Sequence, residues 1–126
     1  MHRLYAYANT SDLAAHEERL VRAFAEFAAT WPVEETLLTN QKAPLVEGQE
    51  FPDWNIGLRV SAAALAREDV ESLLSFLGRL SRDANLPFVV GTWRHRAVGT
   101  TDLCEIDRYI PDGAAGIILQ GTSASQ

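Results

Sequence analysis

The sequence predicts an α+β domain in which two helices cover one face of a mostly antiparallel sheet. Three observations lead there. Residues 3–8 (RLYAYA) and 54–62 (WNIGLRVSA) alternate in character with the period of two that a pleated strand requires. Residues 13–31 and 66–84 carry apolar side chains at three- and four-residue spacing, the stripe of an amphipathic helix. Strand-like and helix-like segments interleave, with two adjacent strands in the middle, which favours helices segregated to one side of an antiparallel sheet.

In the first strand Leu4, Ala6 and Ala8 face one way, and Arg3, Tyr5 and Tyr7 the other. The NTSD cluster that follows favours a turn and a helix start. Leu13, Leu20, Phe24, Phe27 and Trp31 form the stripe of the first helix, which Pro32 stops. Residues 33–39 (VEETLLT) predict a short strand, and residues 40–53 a long polar connection containing Pro44, Gly48 and Pro52. In the next strand Trp54, Ile56, Leu58 and Val60 point inward. The second helix, 66–84, buries Val70, Leu73, Leu74, Leu77 and Leu80. It places Glu68, Asp69 and Glu71 near its N-terminus, where the helix dipole favours negative charge, and ends at Asn85 and Pro87. Residues 88–96 and 102–110 predict a hairpin around AVGT, and residues 115–120 (AGIILQ) a last short strand. The order β-α-β-β-α-β resembles the split βαβ pattern of ferredoxin-like folds, here with two extra C-terminal strands. That resemblance lies in the order of elements alone; folds of this kind host many unrelated functions.

The chain has 126 residues, 47% of them hydrophobic and 22% charged, enough to bury one core without a structural metal or disulfide. A single domain over residues 1–121 is expected, followed by a mobile polar tail over 122–126. Cys104 is the only cysteine, so no internal disulfide can form, and a cytoplasmic location is expected. The net charge of −6 disfavours nucleic acid and mildly favours a cationic protein partner. No spacing of His2, His16 and His95 suits zinc, and no cofactor or membrane association is expected.

The stretch WRHRAVGTTDLCEID, residues 93–107, is the only one with residue types for covalent chemistry. If the turn centres on Val98 and Gly99, His95 pairs with Asp102 and Trp93 with Cys104. Cys104, His95 and Asp102 then share a face in the order nucleophile, base and orienting carboxylate. The competing reading makes Cys104 packing material beside Trp93 and Ile106, and His95 and Asp102 a polar pair at the turn. The packing reading is preferred, because alternating strands bring such trios together by accident.

The charge is concentrated elsewhere. Residues 33–54 hold Glu34, Glu35, Glu47, Glu50 and Asp53 against Lys42 alone, a local balance of −4. Phe51 at the loop's exit would act as an apolar anchor inside an acidic rim. The leading functional expectation is therefore a non-catalytic binding protein that uses Glu34, Glu35, Glu47, Glu50, Phe51 and Asp53 to occlude a basic protein partner. Small acidic bacterial proteins that neutralise toxins, the immunity type, are similar in size and charge. The rival expectation is a small enzyme or ligand-binding domain built on Cys104, His95 and Asp102. A homodimer that buries Tyr5 and Tyr7 is a third.

Overall fold

The computed structural model describes residues 2–93 and 100–123. It is an α+β structure of five strands and three helices: β1 (His2–Ala8), α1 (Glu17–Thr30), β2 (Thr36–Lys42), β3 (Trp54–Ala62), α2 (Arg67–Ala84), β4 (Phe88–Trp93), β5 (Thr100–Ile106) and α3 (Ala114–Ser123). The sheet order is β2-β3-β1-β4-β5, and every neighbouring pair is antiparallel. The fifth strand extends this sheet beyond the four strands of the pattern suggested by the element order.

Alternation along β1 sorts the two faces of the sheet. Leu4 and Ala6 stand opposite Val60 and Leu58 on one side, while Ala6 and Ala8 stand opposite Val90 and Phe88 on the other. These side chains belong to one apolar core together with Leu20 and Phe24 of α1, Leu73 and Leu77 of α2, and Ala115 and Ile118 of α3. Phe24 lies at its centre, packed edge-on against Phe76 and Phe88 at centroid distances of 5.3 and 6.0 Å. All three helices thus contribute to a core built on one sheet face.

Local chemistry ends α2 as its sequence requires. Asn85 adopts the left-handed conformation (φ 57°, ψ 46°) that caps helix C-termini without glycine, and the Leu86 amide donates back to the Ser81 carbonyl. α1 ends differently: Trp31 is extended (φ −82°, ψ 123°), and its amide donates the last helical bond to the Phe27 carbonyl.

Several boundaries differ from the sequence expectation: α1 begins at Glu17, β2 begins at Thr36, and β5 runs from Thr100 to Ile106 rather than over 102–110. The segment expected as a sixth strand, residues 115–120, lies within α3. Ala114, Ile118 and Thr122 repeat at four-residue spacing and are all buried, a helical period that a six-residue apolar window conceals. Thr122 and Ser123, expected in the polar tail, form the end of the same helix; the Thr122 hydroxyl donates to the Ile118 carbonyl. Residues 124–126 lie outside the described residues. Finally, β2 continues through Thr39, Asn40, Gln41 and Lys42, which pair with Gly57, Ile56, Asn55 and Trp54. A polar edge strand needs backbone partners more than it needs apolar side chains, so its composition reads as loop.

Candidate functional site

The helix-free face of the sheet is built from the residues that alternate with the core: Tyr5 and Tyr7 of β1, Leu37 and Thr39 of β2, Gly57 and Arg59 of β3, and Gly91 and Trp93 of β4. The tyrosines are as deeply buried as the core, at 2% and 8% exposure, and their rings stack at 5.0 Å. Tyr5 reaches across β4 to donate its phenolic hydrogen to the Asp102 carboxylate on β5. Gly91 makes this reach possible, because a Cβ there would collide with the Tyr5 hydroxyl and the Thr101 carbonyl. Burial, reinforced by the hydrogen bond to Asp102, pushes the Tyr5 phenol well above its usual range. Burial raises Tyr7 as well, against an opposing pull from the charge of Arg59.

Arg59 is the unusual member of this face. Its guanidinium stacks on the Trp93 indole, 4.3 Å from the ring centroid. Its Nε is buried and has no hydrogen-bond acceptor. Among the described residues, the Arg59 side chain enters no ion pair or hydrogen bond. Leaving a buried donor unpaired ordinarily costs on the order of 1–3 kcal/mol. Beside it, Glu35, Leu37, Arg59, Val60, Ser61 and Trp93 line a cleft of about 360 Å³ whose walls are largely hydrocarbon. Glu35 sits at this rim with φ 53°, a left-handed conformation uncommon for a residue with a side chain.

The hairpin differs from the expected register. Gly91, not His95, pairs with Asp102, and Val90, not Trp93, pairs with Cys104. The shift of register between Val90 and Gly91 leaves Leu103 as an extra residue in β5, a bulge. Asp102 therefore stays on the open face with Tyr5, while Cys104 turns with Val90 toward the core and packs against its edge. Leu103 also turns toward α3, fitting against Gly121. The expected grouping of Cys104 with Asp102 is thus absent, since the two lie on opposite faces. His95, with Arg94 and Arg96, lies outside the described residues. Burial raises the Cys104 thiol pKa and the neighbouring charge of Glu105 raises it further, which disfavours the thiolate. Among the described residues no cluster of three or more His, Cys, Asp or Glu side chains could hold a metal ion. Nor is any described helix long and apolar enough to cross a membrane.

The acidic residues singled out by the sequence lie along one edge of the molecule. Glu34 and Glu35 precede β2, and Glu47, Glu50 and Asp53 lie in the loop from β2 to β3; all five are exposed, and Phe51 is half-buried. The same segment exposes four aliphatic side chains: Leu37 (66%), Leu38 (51%), Leu45 (60%) and Val46 (61%). Trp54 is partly buried against the core; its indole nitrogen donates to the Asn40 side chain at 2.7 Å, and Lys42 lies 4.6 Å from its ring centroid. The sequence reading did not single out Arg59, Leu37 or the exposed loop aliphatics. A signal existed for Arg59: outward positions of two adjacent strands filled with Tyr5 and Tyr7 on β1 and Arg59 on β3 are not the polar surface that a fully solvated sheet face carries.

No protein-family model, curated protein or solved structure matches the chain.

Proposed function

We propose that this chain is a non-catalytic binding protein whose β2 edge and β2–β3 loop dock a basic protein partner. One observation carries the reading. Leu37, Leu38, Leu45 and Val46 are each more than half exposed within a single segment, and that segment also bears Glu34, Glu35, Glu47, Glu50 and Asp53. Exposed aliphatics rimmed by charge of one sign fit an interface in which apolar anchors provide contact and the acids provide steering and partner choice. The unpaired backbone of an edge strand supplies hydrogen-bonding groups that a partner strand can use.

Neutralisation of a toxin-like enzyme, with the acids occupying its cationic cleft, is the specific form of this reading that the size and charge favour. A ferredoxin-like relationship of the first six elements belongs to the same reading, supported by the position of β1 between β3 and β4.

The test begins with a basic partner recovered by affinity capture and purified. The triple variant Glu47→Lys/Glu50→Lys/Asp53→Lys should weaken its binding by about 100-fold at low salt and flatten the salt dependence. Leu37→Ser/Leu45→Ser should weaken binding about as much without changing the salt slope. A partner that binds the charge-reversed protein as tightly, with the same salt dependence, would rule this edge out.

A further inference from the structure

We infer that the cleft beside Arg59 is a binding site for a small monocarboxylic acid with an apolar body, its carboxylate on the guanidinium and its body between Leu37 and Trp93. The inference stands apart from the docking of a protein partner, although the two surfaces share Glu35 and Leu37.

Three features of the cleft select this ligand class. The first is an unused cation. Arg59 is only partly exposed, is held in orientation by the Trp93 ring, and its side chain makes no ion pair or hydrogen bond among the described residues. A guanidinium offers planar, paired donors that match a carboxylate, and it holds its proton at any physiological pH. The second is the wall chemistry. Leu37 is two-thirds exposed, and with Trp93 it gives the cleft an apolar surface that a wholly polar anion would not use. A cavity of about 360 Å³ lies at the small end of ligand sites, suited to a molecule of roughly a dozen non-hydrogen atoms. The third is Glu35 at the rim. Its negative charge stands against anions generally and most strongly against a dianion such as phosphate. A single negative charge placed at the Arg59 end, with hydrocarbon toward the rest of the cleft, limits that repulsion. The stacking of Arg59 on Trp93 adds preorganisation, because the guanidinium need not be gathered from solvent when the acid arrives.

Indole-3-acetate and 4-phenylbutyrate, each beside its neutral primary amide, and inorganic phosphate are titrated calorimetrically into the full chain without any protein partner. Both acids are expected to bind, each at least about tenfold more tightly than its amide, a difference of about 1.4 kcal/mol, with phosphate showing no saturable heat. Arg59→Met keeps the stem volume and removes the charge; it should erase the preference for acid over amide. Glu35→Gln, at an exposed position, should tighten acid binding about two- to threefold and so provides a test even if Arg59→Met does not fold. Equal binding of acid and amide, absence of binding by both acids at millimolar concentration, or weaker acid binding by Glu35→Gln would overturn the inference. Failure of the charge-reversed loop to affect a protein partner would leave these titrations unchanged, so the two readings fail separately.

Discussion

The two faces of β1 bury their side chains almost equally and do so with different chemistry. On the helix-covered face Leu4 and Ala6 are wholly inaccessible among Val60, Leu58, Val90 and the side chains of three helices. On the other face Tyr5 is nearly as buried, yet its phenol is tied to Asp102 and its neighbours include Arg59, whose side chain has no hydrogen-bond partner among the described residues. The first arrangement is non-directional: it gains from the removal of apolar area from water and tolerates small shifts. The second is directional: it depends on Gly91 to admit the Tyr5 ring and on Trp93 to hold the guanidinium. The helix-covered face therefore holds the contacts that need no particular orientation, and the other face those that do: Tyr5 on Asp102 and Arg59 on Trp93.

Breaking the helix-covered face should have the largest effect. Phe24→Ala empties the meeting point of α1, α2 and β4 and should lower unfolding free energy by about 3–5 kcal/mol, read from the denaturant midpoint at constant slope. A loss below about 1 kcal/mol would mean that Phe24 does not hold the core together.

The placement of Cys104 gives the next contrast. With its sulfur turned toward the core edge and its thiol pKa raised, alkylation by iodoacetamide at neutral pH should run at least about tenfold slower than in denaturant. Rapid alkylation of the folded protein would return Cys104 to the open face and restore the nucleophile reading.

Tyr5→Phe sharpens the comparison from the other side. The ring area is kept and the hydrogen bonds of the hydroxyl with the exposed Asp102 carboxylate and with the Thr100 side chain are lost, so a loss of about 1–2 kcal/mol is expected, with little further loss on adding Asp102→Asn. Additive losses would show that the phenol and the carboxylate do not act as a pair.

The smallest effect concerns pH. The pKa of His2 lies below its ordinary 6.5, chiefly through burial, and its Nδ1 is 3.0 Å from the Thr122 hydroxyl of α3. The unfolded chain therefore takes up a proton more readily than the folded one. The contribution of His2 is complete above about pH 6.5 and declines as the pH falls through the lowered folded value. Thermal midpoints should drop modestly between pH 7.5 and 5.5 in the native sequence, and by less in His2→Gln. An identical drop in both would remove His2 from the acid response.

The hairpin shows where a sequence stops specifying contacts. The expected pairing and the observed pairing of Asp102 differ by four residues on β4, from His95 to Gly91. An even shift keeps every side chain on the same face, so alternation cannot distinguish the two. What selects Gly91 is its lack of a Cβ beneath the Tyr5 hydroxyl, a contact between residues at opposite ends of the chain. The bulge at Leu103 then reverses the face of Cys104, and Leu103 itself is accommodated by Gly121 of a helix expected as a strand. One misassigned element thus hid the partner that helps explain the bulge. The acidic edge, by contrast, was readable as composition, because exposed charges in a loop need no long-range partner to be where they are. The exposed aliphatics between them were not, since an isolated leucine in a sequence does not reveal whether a helix covers it.

By itself the sequence determined the two helical stripes, the inward faces of β1 and β3, the stop of the second helix at Asn85 and the acidic character of the β2 region. Each follows from spacing or residue chemistry within a few positions, the range over which periods of two and 3.6 operate. Only the tertiary structure decided the register of β5, the helical state of residues 114–123 and the placement of Arg59 on Trp93 with no carboxylate partner among the described residues. Those outcomes come from steric fit and charge pairing between segments far apart in the chain, which local periodicity does not encode.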